Sequence, residues 1–154
     1  DLLPGNERAS GISQTIKKLS EKKITNLNGY TNTDLKLEFG AVNLSKLSAA
    51  DANCIVLLRS LSELADIYLD NGLRDEAMKL LQFALSSGSD DPKHFEILAD
   101  YYLEKNDPDA IHSLIEYADE IDSDRGEKIS ARLKQTALLM EEVVGNEQTS
   151  EGNT

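Results

Sequence analysis

The chain of 154 residues has no tryptophan, one cysteine, three prolines and nine glycines, and aromatics amount to 5%. So few breakers exclude a sandwich or barrel built from many short strands. The scarcity of large rings fits a core of Leu, Ile and Ala packed between helices. A lone cysteine excludes an internal disulfide and a metal cluster resting on thiolates. Cys54 lies in the apolar run CIVLL and reads as a buried thiol serving as a small apolar residue. A reducing, cytosol-facing setting suits it, and a disulfide-free exported domain stays open. No apolar run approaches the roughly 18 residues that span a bilayer, and no signal peptide is visible. The chain starts at Asp1 rather than Met, which leaves room for an anchor in a longer parent protein.

Cations are scarce in one region above all. Residues 61–124 hold 17 Asp/Glu against 4 Lys/Arg, a net −13, whereas the whole chain carries −12. Such a chain repels phosphate backbones, so nucleic acid is not an expected partner. Hydrophobic residues make up 40%, enough for one compact domain with a core.

The first eleven residues, DLLPGNERASG, read as a flexible lead-in. Ile12, Ile16 and Leu19 then share a helix face, with Lys17, Lys18, Lys22 and Lys23 crowding the rest. Residues 25–33 are rich in Asn, Thr and Gly and read as a loop. In 34–47, Leu35, Leu37 and Phe39 alternate like a strand, yet two helical faces fit as well; helix is preferred because a lone strand has no partner. Ser48 to Asp51 has the spacing of a capping box and predicts a helix to about Asp70, stopped by Asn71-Gly72. A second helix is predicted from about Arg74 to Ser86, closed by Gly88. Asp91-Pro92 and Asp107-Pro108 each place a capping aspartate before a proline at the first helical position. They open helices reaching about Lys105 and Ile121. Ser123 or Asp124 opens a fifth, with Ile129, Leu133, Ala137, Met140 and Val144 as its seam and Arg132, Lys134 and Glu141 toward water, ending before Gly145. The polar tail 145–154 carries no core residue and is expected to be disordered.

One phrase is written twice. LADIYLDNGLRDEAMKLLQFAL (64–85) and LADYYLEKNDPDAIHSLIEYAD (98–119) stand 34 residues apart and share eight identities. Leu61 falls on Phe95, Leu64 on Leu98, Ala65 on Ala99, Tyr68 on Tyr102, Leu81 on Ile115 and Ala84 on Ala118. Small residues recur where helices must cross closely, and large ones where a gap must be filled. A period of 34 with two helices per unit marks a helical solenoid.

The recurring pattern Leu61-x-x-Leu64-Ala65-x-x-Tyr68 and Phe95-x-x-Leu98-Ala99-x-x-Tyr102 resembles the tetratricopeptide repeat family. Gly72 sits at that family's turn glycine, and Ala77 and Ala84 at its small positions. The second copy departs from the pattern at Asn106 and at Ile111, whose bulk is expected to widen its helix pair. The likeness covers about 58–124. It implies an all-α fold: an α-α superhelix of about two helix hairpins plus a C-terminal capping helix, with a less regular N-terminal segment. The expected division is 1–47 as an extension, 48–144 as the repeat domain and 145–154 as the tail.

Sequence motifs for catalysis are missing. His94 and His112 are the only histidines, with no HExxH, no glycine-rich phosphate loop and no GxSxG. The carboxylates read as solvated faces, and no catalytic, metal or cofactor residues are expected. Asn43-Leu44-Ser45 matches a glycosylation sequon. The resemblance implies a concave groove for a protein or peptide, lined at its non-core positions by Arg59, Ser62, Asp66, Lys93, Glu96 and Asp100. Asp66 and Asp100 argue against a clamp for a peptide carboxylate and for a basic partner. The reading that follows is a non-enzymatic adaptor or scaffold. A structural alternative is a self-associating domain of a membrane-anchored protein whose anchor is missing, with 1–47 supplying the contact. A third is an accessory domain on a catalytic chain. The Lys17–Lys23 cluster reads as a solvated face, as a surface for the acidic repeats, or as a contact with an anionic membrane.

Overall fold

A computed structural model describes residues 2–22 and 44–151, with side chains over 2–22 and 50–145. Six helices are present and no strand among the described residues: α1 Glu7–Ser20, α2 Leu44–Asp70, α3 Arg74–Ser86, α4 Pro92–Glu104, α5 Pro108–Asp119 and α6 Asp124–Glu151. No helix among them is long and apolar enough to cross a membrane. The chain divides into two compact units, Asp1–Ser89 and Asp90–Thr154. The division falls between the two written phrases. The expected loop at 25–33 and the choice between strand and helix at 34–43 lie outside the described residues, as do the side chains of Asn43 and Lys23.

In the first unit α1 packs on α2, and α2 on α3. Leu19, Leu57, Leu61 and Ala84 form a buried cluster, flanked by Ile16, Leu58 and Leu80. The lead-in is more ordered than expected. Asn6 accepts a hydrogen bond from the Ala9 amide at 3.0 Å, capping α1 before Glu7, and the helix passes through Gly11. A side-chain cap satisfies an amide that the first turn otherwise leaves bare. The helix α2 also starts early, at Leu44, so Ser48 to Asp51 lies inside it and does not open it. Ala49 and Ala50 are strong helix formers and let the helix extend backward through the serine.

In the second unit α4 packs on α5 and on α6, and α5 on α6. Asp91 caps α4 through the Lys93 amide at 3.0 Å. Asp107 caps α5 through the Ala110 amide at 3.0 Å. Both prolines take the position whose missing N–H costs nothing. Ser123 opens α6, its carbonyl accepting from Glu127 at 3.1 Å.

The two hairpin turns share one geometry. At the first, the Leu73 amide donates to the Tyr68 carbonyl at 2.9 Å and Gly72 to Leu69 at 3.1 Å. At the second, Asp107 donates to Tyr102 at 3.0 Å and Asn106 to Leu103 at 3.0 Å. These are Schellman caps, which need a left-handed residue. Gly72 supplies it at φ +76°, Asn106 at φ +52°. The departure of Asn106 from glycine therefore leaves the turn intact.

Burial repeats with the same period. Leu61 and Phe95, Leu64 and Leu98, Ala65 and Ala99, Ala77 and Ile111, and Ala84 and Ala118 are all buried. Tyr68 is buried too, but Tyr102 is only partly so. In α6 Ile129, Leu133 and Met140 are buried as expected, while Val144 is exposed. Gly126 marks the tightest approach: a Cβ there would lie 2.3 Å from the Ile121 carbonyl oxygen and 2.7 Å from the Ile121 Cβ. The helix does not stop at Gly145 but continues to Glu151, where a disordered tail was expected. A single interior glycine costs about 1 kcal/mol, too little to end a long helix.

Candidate binding site

The second unit carries a cleft of about 650 Å³ between α4 and α6. Its apolar lining comes from Phe95, Ala99 and Leu103 on one wall and Ile129 and Leu133 on the other. Phe95, Ala99, Ile129 and Leu133 are buried core residues, so the floor of the cleft is the packed interior of the unit. The rim is charged. Glu96, Asp100 and Asp124 line it alongside Arg125, Lys128 and Arg132.

Two ion pairs cross between the walls. Arg132 pairs with Glu96, and Arg125 with Asp90 at 3.2 Å. Both arginines advance with their partners, 125 to 90 and 132 to 96, so α4 and α6 run side by side in the same direction. The pairs are exposed and each contributes at most about 1 kcal/mol. Lys128 and Asp100 form no ion pair among the described residues. Asp124, at the start of α6, forms none either, so the cleft offers one cation and one carboxylate toward the N-terminal end of α6 and a second carboxylate further along α4.

The other side of α6 is tied to α5. Asp119 accepts from Ser130 Oγ at 2.5 Å and from Lys134 Nζ at 3.3 Å. The Ser130 hydrogen bond holds the Asp119 carboxyl below its usual pKa, helped by Lys134 and opposed by partial desolvation.

The six groove residues expected from sequence divide between the units. Glu96 and Asp100 line the cleft. Lys93 is exposed in the first turn of α4 and is not part of the lining. Arg59, Ser62 and Asp66 lie on α2 in the first unit, Arg59 exposed and the other two half-buried. The basic wall was missed. Arg132 is expected from sequence to face water, and the expected groove includes neither Arg125 nor Lys128. The signal was present: opposite charges stand about one repeat apart, at Asp90 and Arg125 and at Glu96 and Arg132. With that wall in place the cleft is mixed in charge, not uniformly acidic.

Cys54, His94 and His112 are not part of the cleft lining. Cys54 is buried, and burial, then the Asp51 charge, pushes its thiol pKa up and away from reactivity. His94 is buried, its Nε2 at 3.8 Å from the Asp91 carboxylate. His112 is exposed, with Nδ1 at 2.7 Å from the Pro108 carbonyl of its own helix. Among the described residues no group of His, Cys, Asp and Glu is placed to hold a metal ion.

Searches against protein-family models, curated proteins and solved structures give no match.

Proposed function

We propose that the protein is a non-enzymatic interaction module whose hairpins are of tetratricopeptide type, arranged as an α-α superhelix and capped by α6. Its cleft between α4 and α6 takes a segment of a partner protein or peptide. The observation that carries this reading is the open cleft with a buried apolar floor and a charged rim, since such a concavity gives an apolar side chain a seat and charges to orient it. Asp100 and Asp124 are cleft carboxylates with no ion pair among the described residues, and Asp100 stands beside the apolar floor, so the favoured segment places a basic residue next to an apolar anchor. The long-range acidity of residues 61–124 steers the same kind of partner.

Fluorescence anisotropy against a library of labelled peptides tests this. Peptides with a Leu or Phe beside Lys or Arg are expected to bind, and Asp100→Lys to weaken them about tenfold or more. Asp66→Lys, in the other unit, is the comparison. Undiminished binding in Asp100→Lys removes the cleft from the proposal. Loss in Asp66→Lys alone moves the site to α2.

A further inference from the structure

The cleft-facing strip of α6 does not end with the cleft. Residues advance about 100° each around a helix, which places Arg125, Lys128, Arg132 and Thr136 on one strip with Leu139 and Val143. The last two lie outside the cleft lining and are 58% and 59% exposed. The strip is thus basic in its first half and apolar in its second, with Glu142 flanking the apolar end. On a chain of net charge −12, its basic half also lowers the repulsion toward another acidic molecule.

We propose that this strip is an interface between two copies of the chain, with α6 pairing antiparallel to α6 of the second copy. A two-fold axis between Gln135 and Thr136 makes the strip complementary to itself. Arg132 then faces Leu139 of the other copy, its methylenes covering the leucine. Lys128 faces the turn holding Glu142 and Val143. Each contact occurs twice, as an isologous interface requires. The two apolar ends lie against the open end of the opposing cleft, and each unpartnered Lys128 gains a carboxylate. A parallel pairing would set basic half against basic half. The pairing does not depend on the peptide reading. It does share the cleft with it, so a bound segment and a second copy exclude each other.

Sedimentation equilibrium of the full chain at rising concentration reads the outcome. The wild type is expected to dimerise. Lys128→Glu and Glu142→Lys each weaken the dimer about tenfold, and the double variant K128E/E142K recovers most of that loss. The two positions are about 21 Å apart along one helix, so recovery cannot arise within a single chain. Leu139→Glu is expected to abolish dimers, and Leu138→Glu, off the strip, to leave them. Circular dichroism of each variant confirms that α6 remains. A wild type that stays monomeric overturns the proposal, as does a double variant no better than the singles or a Leu138→Glu as damaging as Leu139→Glu. None of these outcomes bears on peptide binding by the monomer.

Discussion

The first hairpin ends its leading helix at Gly72 and the second at Asn106, yet the hydrogen bonds around the two residues match atom for atom. Elsewhere the copies differ more. Ala77 in α3 corresponds to Ile111 in α5, and both are fully buried. Tyr68 is buried, while Tyr102 is half-buried and meets Tyr101 edge to face at 5.7 Å between ring centroids. Lys105 Nζ lies 5.4 Å from the Tyr101 ring centroid. The second copy is followed by α6, which supplies a tight glycine contact, a basic wall and a buried seam. The comparison teaches that the backbone of a hairpin survives side-chain changes at its turn. What distinguishes the units is the helix packed beside each hairpin.

The largest expected effect is at Gly126, in the unit that has α6. A methyl group there would overlap the Ile121 backbone and Cβ, and a backbone carbonyl cannot move aside cheaply. Gly126→Ala is expected to cost about 3 kcal/mol, the upper range of overpacking. Urea unfolding with hydrogen exchange checks it: amides of α5 and α6 should lose protection first. A variant as stable as the wild type would mean that α5 and α6 do not approach this closely.

Next in size is the reciprocal exchange at the second-helix positions. Ile111→Ala opens a cavity and is expected to cost about 2–4 kcal/mol. Ala77→Ile overpacks the first unit and is expected to cost about 1–3 kcal/mol. Thermal or urea unfolding measures both. If Ala77→Ile is tolerated, the two hairpins have interchangeable spacing and the difference between them is smaller than their sequences imply.

A smaller effect separates the turns. Gly72→Ala forces a Cβ into the left-handed region and is expected to cost about 1 kcal/mol. Asn106→Gly relieves a side chain there but adds freedom to the unfolded chain, so a change within about 0.5 kcal/mol is expected. Equal losses at the two sites would show that Asn106 contributes more to its turn than the left-handed backbone that glycine also supplies.

These features were not equally legible. The caps at Asp91 and Asp107, the stop at Gly72 and the buried positions of the repeat follow from residues within a few places of each other. Local chemistry decides them whatever surrounds the helix. The starts of α1 and α2 and the end of α6 were set too tightly. Gly11, Ser48 and Gly145 are weak breakers, and a helix crosses them when the residues beyond also favour it. Half of the cleft was visible in Glu96 and Asp100. The other half depends on α6 lying beside α4, a contact across more than thirty residues that no local pattern specifies.

The smallest effect is a pH dependence that belongs to the second unit alone. One repeat before Asp119 stands Leu85, which is buried. The first unit thus has an apolar contact where the second has a carboxylate bound by Ser130 and Lys134. Because Asp119 has a lower pKa when folded than when unfolded, the folded state favours its ionised form. Its contribution is fully present above the unfolded carboxyl pKa, ordinarily about 3.9, and is lost as pH falls through the folded value. Asp119→Asn should therefore flatten the stability curve below about pH 4 and change it little in slope at neutral pH. Solvent exposure of the carboxylate keeps the effect modest. Unfolding followed through exchange of the α5 and α6 amides, compared with those of α2 and α3, isolates it. An acid dependence that survives Asp119→Asn would assign the loss to other carboxylates, and a matching loss in α2 and α3 would deny the second unit any special sensitivity.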